Sequence, residues 1–149
     1  MKKNDALGVL AFLVGNWRMK IYNASFLASP SEEIMGKVFV EWFEDETFIT
    51  MRSEAVENGP PGSVAVLNLD DTNGQGAMLY YDSRGVSRIY NMSFADNIWK
   101  LWRDAPAPGF NQKFEGVVSN NGNTIIAAWY AMENDTWRHD FSVQYEKLP

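Results

Sequence analysis

Cysteine is absent from the 149-residue sequence, and histidine occurs only once. Without thiolates the chain has no disulfide framework, no cysteine-ligated zinc and no cysteine nucleophile, and one imidazole cannot build a multi-histidine metal site. No apolar run approaches the roughly 20 residues that a bilayer-spanning helix requires. Basic residues number 13 against 19 acidic ones, and the net charge of −6 argues against a nucleic-acid footprint or a polybasic membrane patch.

Aromatic residues, by contrast, are abundant: the chain holds 9 Phe, 6 Trp and 6 Tyr. Each aromatic ring buries a large area, so this content calls for a broad apolar interior or a ligand cavity. The length fits one domain spanning 1–149. No serine lies in a G-x-S-x-G elbow, so a hydrolase triad has no anchor, and we assign no catalytic residues.

The N-terminal segment imitates a short signal peptide, with two lysines before an apolar stretch over 6–15. Asn4 and Asp5 interrupt the boundary, and no small-residue cleavage site follows. We therefore predict a cytoplasmic protein with a short helix that is capped by Asp5 or Asn4 and ends at Gly15. The helix is expected to pack through four apolar residues: Leu7, Leu10, Phe12 and Leu13.

After Gly15 the hydrophobic pattern changes to an alternation of period two. Turn residues, as in 58–62, 70–74 and 119–123, separate the alternating runs. The stretch 23–31 is the least patterned and is predicted to be a loop or a short helical lid. About ten strands are predicted, near 17–24, 36–43, 47–56, 63–70, 77–82, 86–94, 97–103, 110–118, 124–132 and 136–147.

Connections this short require neighbouring strands to pair antiparallel, and no βαβ rhythm is present. An open sheet of many such strands has two edges with unpaired backbone N–H and C=O groups. Closing the sheet into a barrel pairs both edges completely. We predict an all-β fold, an antiparallel up-and-down β-barrel of about ten strands with a short N-terminal helix. A β-sandwich is the structural alternative, because periodicity alone does not separate the two.

A short helix followed by Gly15-Asn16-Trp17 at the first strand resembles the calycin barrels, which include lipocalins, fatty-acid-binding proteins and nitrobindin-like proteins. The later chain is similar to a bacterial barrel family related to these, and that similarity covers nearly the whole sequence. The resemblance implies a ten-stranded barrel with an internal cavity, and it implies no activity. The segments that carry it are Asp82–Val86, Arg88–Tyr90, Phe114–Gly116, Asn121–Ile125 and Trp137–Tyr145.

The last predicted strand carries the only histidine. Regular alternation puts Trp137, His139 and Phe141 on one face and Arg138 on the other, so His139 is expected to face the apolar interior. There it is either a core histidine with a hydrogen-bond partner or a residue that contacts a ligand. A neutral imidazole can bind iron, polarise a carbonyl or act as a base.

Nitrobindin-like barrels hold haem through one proximal histidine near the C-terminus, so the resemblance implies haem with His139 as axial ligand as an alternative. Those proteins carry a glycine-rich pattern after the first-strand tryptophan, and this chain has Arg18–Tyr22 there instead. No other cofactor is predicted, and no metal is predicted apart from the iron of such a haem.

Arg88 and Arg103 lie on the aromatic-rich faces of their predicted strands and are expected to face inward with them. A buried arginine needs a carboxylate partner, a backbone carbonyl or an anionic ligand. The residues therefore fit either an internal pair at the barrel end or a clamp for a ligand carboxylate. Fatty-acid-binding barrels place their basic residue on the last strand, where Arg138 is expected to face outward, so the resemblance does not transfer that clamp.

We expect the protein to bind a small hydrophobic or amphipathic ligand inside the barrel without catalysis. The alternatives are haem binding, an enzyme that uses His139 as an acid–base group, and a filled barrel that serves as a structural or interaction module. The expected partner is a small molecule rather than nucleic acid or membrane, and a homodimer through an exposed strand edge or face stays open. The expected ligand-binding residues are His139, Trp99, Tyr90, Arg88, Phe141 and Trp129.

Overall fold

Ten β-strands follow a short 3-10 helix in the computed structural model, which describes residues 3–105, 107 and 110–149. The helix is Asp5–Leu13, and a 3-10 turn at Asn120–Gly122 joins the eighth and ninth strands. Each predicted strand overlaps one observed strand, and the predicted turn at 106–109 lies largely outside the described residues. The strands are β1 (Gly15–Tyr22), β2 (Glu33–Phe43), β3 (Phe48–Ser53), β4 (Ser63–Leu69), β5 (Gly76–Asp82), β6 (Ser87–Ala95), β7 (Ile98–Arg103), β8 (Gln112–Ser119), β9 (Thr124–Glu133) and β10 (Thr136–Lys147).

The strands form a closed barrel in which every strand pairs antiparallel with its neighbours in sequence. Closure comes from β1 and β10, whose register runs from Trp17 opposite Lys147 to Tyr22 opposite Ser142. The predicted all-β barrel is therefore confirmed, and the sandwich alternative is wrong. The physical reason is that a closed sheet pairs both edges of each of the ten described strands, which a sandwich leaves open.

Three of the connections between strands are tight turns in which polar residues adopt the left-handed backbone conformation. Two consecutive residues have positive φ in the β2–β3, β6–β7 and β9–β10 turns, as a type I′ hairpin requires. The twist of that turn matches the twist of the strands it joins. The residues are Asp45 and Glu46, Asp96 and Asn97, and Asn134 and Asp135.

The N-terminal helix is a 3-10 helix that closes one end of the barrel. Its cap is Asn4, whose Oδ1 accepts a hydrogen bond from the Ala6 N–H at 3.1 Å. The Asn4 Nδ2 donates to the Leu69 carbonyl at 2.8 Å and so fixes the helix to β4. Its inner face is made by residues spaced three apart, the repeat of a 3-10 helix, and each is at most 1% exposed: Leu7, Leu10 and Leu13.

A β-bulge interrupts β10 between His139 and Phe141. On one side of it His139 lies opposite Tyr130, and on the other side Phe141 lies opposite Trp129. Because Tyr130 and Trp129 are adjacent in β9, they face opposite sides of the sheet, and so do their partners. The extra residue, Asp140, thus exchanges the two faces of the strand.

Candidate ligand-binding site

A cavity of about 540 Å³ occupies the half of the barrel that lies away from the helix. It lies among the end of β1, the start of β4, the end of β5 and the start of β6, and residues of the β1–β2, β3–β4 and β5–β6 loops border it. Its wall is mainly apolar. The apolar lining includes Met19, Ile21, Val38, Met51, Ala65, Met78, Trp99, Leu101, Phe114, Trp129, Phe141, Val143 and Tyr145.

One wall of the cavity is a continuous row of aromatic rings across β7, β8, β9 and β10. The ring centres of Trp99 and Phe114 are 5.0 Å apart, and those of Phe114 and Trp129 are 5.1 Å apart. Trp129 then contacts Tyr90 at 5.5 Å and Phe141 at 6.3 Å. These contacts hold the rings in fixed orientations, so the wall offers a preformed apolar surface to a ligand.

The mouth of the cavity is bordered by the β1–β2 loop. Phe26 of this loop is 58% exposed, and its ring meets Phe141 edge to face at 5.5 Å. The loop is held by the bulge, because the backbone N–H of Ser25 donates to the Asp140 carbonyl and its Oγ donates to Asp140 Oδ1, both at 2.8 Å. The segment predicted as a loop or a helical lid is therefore a loop of turns anchored to β10.

Polar groups gather on the β5–β6 side of the cavity. The Tyr80 hydroxyl donates to Asp82 Oδ2 at 2.9 Å, and the Arg84 guanidinium donates to the same oxygen at 2.7 Å. Burial opposes ionisation of Asp82, but these hydrogen bonds outweigh it and hold the pKa of its carboxyl at about 2. Burial and the neighbouring Asp82 raise the pKa of Tyr80 far above its ordinary value, so its phenol stays neutral.

Deeper in the same wall, the Tyr90 hydroxyl donates to Gln112 Oε1 at 2.9 Å. Burial raises the pKa of Tyr90, although the positive charges of Arg103 and Arg88 oppose the rise. Tyr145 on the opposite side has its pKa raised to about 12 by burial. The cavity tyrosines are therefore neutral hydrogen-bonding groups at physiological pH.

Two donors, one in the cavity wall and one at a strand position beside it, have no acceptor among the described residues. They are the Nε1 of Trp99 and the Nε of Arg103, and both atoms are buried. An N–H that is buried without an acceptor costs about 1–3 kcal/mol, so two such groups on one strand are unusual in a protein interior.

The structure brings five of the six predicted ligand-binding residues to the cavity. These are Arg88 and Tyr90 on β6, Trp99 on β7, Trp129 on β9 and Phe141 on β10. Sequence reasoning did not single out Arg84 and Gln112 as lining residues, and it left open whether Tyr80 or Tyr81 faces inward. The alternation of β5 carried the signal for Tyr80, since Met78 two residues earlier is buried and Tyr81 is 49% exposed.

The prediction that His139 faces the interior is wrong. Its Nε2 lies 3.0 Å from the Ser142 Oγ, and its ring packs against Tyr130, 5.8 Å away between centres. Lys113 covers the same Tyr130 ring at 5.2 Å. The physical reason is the bulge at Asp140, which turns the strand over and leaves His139 with the residues of the outer face.

Because of the same bulge, the prediction that Arg138 faces outward is also wrong. Alternation placed it outside, but its pairing with Ala131, which lies opposite the cavity residue Gln112, puts it on the inner face at the rim. There its Nε lies 2.5 Å from Glu133 Oε2 and its guanidinium 3.7 Å from Asp140 Oδ1. Arg138 is thus engaged by two carboxylates at the mouth.

The resemblance to nitrobindin-like barrels implies His139 as the axial ligand of a haem. Because His139 does not face the cavity, the cavity residues do not fit haem in that way. The sequence contains one histidine, and its imidazole is on the outer face with Ser142 and Tyr130. Among the described residues no group of three or more His, Cys, Asp or Glu side chains is arranged to hold a metal ion. We therefore derive no chemistry from haem at this site.

The fold and the site together define a closed antiparallel barrel of ten strands with an apolar internal cavity. No protein-family model and no curated protein sequence matches the chain. It is similar to the crystal structure of Rv2717c from M. tuberculosis, with a TM-score of 0.66, over 99% of this chain and 100% of that one. The sequences are 12% identical, so the likeness establishes the fold alone. Within the described residues, no helix has the length and apolar character needed to cross a membrane.

Proposed function

We propose that this protein binds a small hydrophobic or amphipathic molecule inside its barrel and does not transform it. The observation that carries the proposal is the apolar cavity of about 540 Å³. Ligand cavities in proteins typically measure roughly 300–1,000 Å³ and combine apolar walls with a few polar anchors. The cavity described here has that composition, with an aromatic row on one side and Tyr80, Tyr90 and Arg88 on the other.

Three features of the wall support binding over a barrel filled by its own side chains. Large residues surround the space without occupying it, although packed interiors leave few voids larger than one water molecule. Met19, Met51 and Met78 give part of the wall an adaptable surface. The aromatic row gives the other part a fixed one.

Binding rather than turnover is proposed because the carboxylate of Asp82 and the hydroxyls of Tyr80 and Tyr90 are engaged with other side chains. Asp82 accepts from both Tyr80 and Arg84, and Gln112 accepts from Tyr90. The resemblance to calycin barrels, many of which carry small molecules, agrees with this function. We further propose a cytoplasmic location, which fits the acidic balance of 19 carboxylates against 13 basic residues.

The test is native mass spectrometry of the purified protein beside its denatured mass, followed by titration with 1-anilinonaphthalene-8-sulfonate. We expect a discrete extra mass that is lost on denaturation, or saturable enhancement of probe fluorescence that a bound apolar molecule reverses. The extra mass also separates lipid from haem.

A matched pair of variants places the binding inside the barrel. Ala65→Phe puts a ring into the cavity wall, and Ala77→Phe puts the same ring on the exposed face of the neighbouring strand β5. We expect the first to abolish probe binding and the second to leave it unchanged, with circular dichroism showing that both fold. Equal binding by the two variants, or no binding by the unmodified protein, would contradict the proposal.

A further inference from the structure

Four arginines lie in the cavity wall or beside it, and two of them have no ion pair within the described residues. Arg84 is paired with Asp82, and Arg138 is paired with Glu133 and Asp140. Arg88 and Arg103 form no ion pair with any residue in the described part of the chain. We refer to Arg88 and Arg103 as the arginine pair.

The arginine pair flanks Tyr90 on the polar side of the cavity. Arg88 is two residues before Tyr90 on the inner face of β6 and lines the cavity. Arg103 follows Trp102, which lies opposite Asn91, so it lies beside Tyr90 on the neighbouring strand. On its other side Arg103 lies opposite Gln112, another cavity residue.

In the part of the chain that the structure describes, few hydrogen bonds engage the pair. Arg88 donates one bond, to the Ser87 carbonyl at 3.2 Å, and its guanidinium lies 5.6 Å from the centre of the Phe110 ring. The Nε of Arg103 is buried and has no acceptor in the described residues. A guanidinium presents five N–H donors in a planar fork, so both residues hold donors in reserve.

Tyr90 and Asp82, two titratable groups on the same side of the cavity, do not supply a counter-charge to the pair. Tyr90 is neutral, because burial raises its pKa, and its hydroxyl already donates to Gln112. Asp82 is committed to Arg84 and Tyr80. A partly buried arginine without a carboxylate is costly, and an anionic ligand with two oxygens in one plane removes that cost.

We propose that the occupant of this cavity is an amphipathic anion: an apolar body with one carboxylate or phosphate group, whose oxygens accept hydrogen bonds from Arg88 and Arg103. The apolar body lies along the aromatic row of Trp99, Phe114 and Trp129. This inference rests on the proposed function and names the class of ligand for the same site.

The experiment compares three ten-carbon ligands, decanoate, decan-1-ol and decyl phosphate, by titration followed through tryptophan fluorescence. Each is titrated into the unmodified protein, Arg88→Gln and Arg103→Gln. The control is Arg52→Gln, which removes the same charge from the outer face of β3, where Arg52 is exposed and paired with Glu54. We expect each variant of the pair to weaken decanoate binding by about 10-fold to 100-fold and decan-1-ol binding little. The control is expected to change neither.

The outcomes separate this inference from the function on which it rests. Equal affinity for decanoate and decan-1-ol, unaffected by the two variants, overturns the anion site and leaves apolar binding in place. Failure of all three ligands to bind overturns both. Tighter binding of decyl phosphate than of decanoate supports the anion site and assigns it to phosphate. If Arg103→Gln does not fold, Arg103→Lys keeps the charge without the planar fork and should weaken decanoate more than decan-1-ol.

Discussion

The two ends of the barrel use similar apolar residues for opposite purposes. At the helix end, Leu7, Leu10 and Leu13 are at most 1% exposed, and the Trp17 Nε1 donates to the Leu13 carbonyl at 2.8 Å. At the cavity end, Met51, Trp129 and Phe141 remain partly exposed around a space of about 540 Å³. We refer to the packed helix end as the plug; the opposite end keeps an internal space.

The contrast depends on what covers each opening. The helix end is covered by the 3-10 helix, which is capped by Asn4, hydrogen-bonded to β4 and packed through its leucines. The mouth at the cavity end is bordered by the β1–β2 loop, which is held through Ser25 at the Asp140 bulge. Loops carry function more often than regular elements because they can change without loss of the core.

The largest expected effect in this comparison is loss of packing at the plug. Leu10→Ala should lower the free energy of unfolding by about 3 kcal/mol, because it leaves a void in a packed region. Met51→Ala, at the cavity wall, should cost only about 1 kcal/mol, because the removed atoms already border open space. Urea denaturation measures both, and equal losses would show that the cavity end is as tightly packed as the plug.

A smaller effect is expected when the hydrogen bonds that Asn4 makes to the helix and to β4 are removed. Asn4→Ala removes the cap and the bond to Leu69, so we expect a loss of about 1–2 kcal/mol and a lower melting temperature. Asn91→Ala, at an exposed position on the same end of the barrel, is the control and should change stability by no more than about 0.5 kcal/mol. A loss from Asn4→Ala no larger than that of the control would mean that packing alone holds the helix.

The smallest effect concerns acid stability at the cavity end. The pKa of Asp82 is lowered from 3.8 to about 2, so its ionised form adds stability above pH 4 that is lost as the pH falls towards 2. The effect is small because Arg84 is 64% exposed and water screens the pair. In urea denaturation at pH 7, 4, 3 and 2.5, the stability advantage of the unmodified protein over Asp82→Asn should shrink below pH 4. An advantage independent of pH would contradict the assigned role.

Much of the fold could be predicted from the sequence because its turns are locally encoded. Asn and Asp tolerate the left-handed conformation, and they occupy the hairpin positions with positive φ at 96–97 and 134–135. Alternation between the turns then fixed which residues of β6 and β7 face inward, and so placed Tyr90, Arg88 and Trp99 at the cavity. The turn residues and the alternation are both local signals, each contained within a few consecutive residues.

The rest of the site depends on contacts that are distant in sequence. The bulge at Asp140 is held by Ser25, which is 115 residues away, and an alternating pattern contains no sign of it. The facing of His139 followed from that bulge, so it was predicted wrongly. A cavity remains only where the side chains that meet across the whole barrel do not fill its interior. The summed volume of these side chains is not specified by any single strand.

The seam between β1 and β10 ties formation of the site to completion of the fold. These strands are the first and the last of the ten, and they meet along six register pairs. Any state in which β10 has not yet paired with β1 leaves sheet edges open, and open edges favour association with other chains. Contacts of such long sequence separation also slow folding. Because β10 brings Phe141, Val143 and Tyr145 to the wall, the cavity is complete only when the last strand has joined the first.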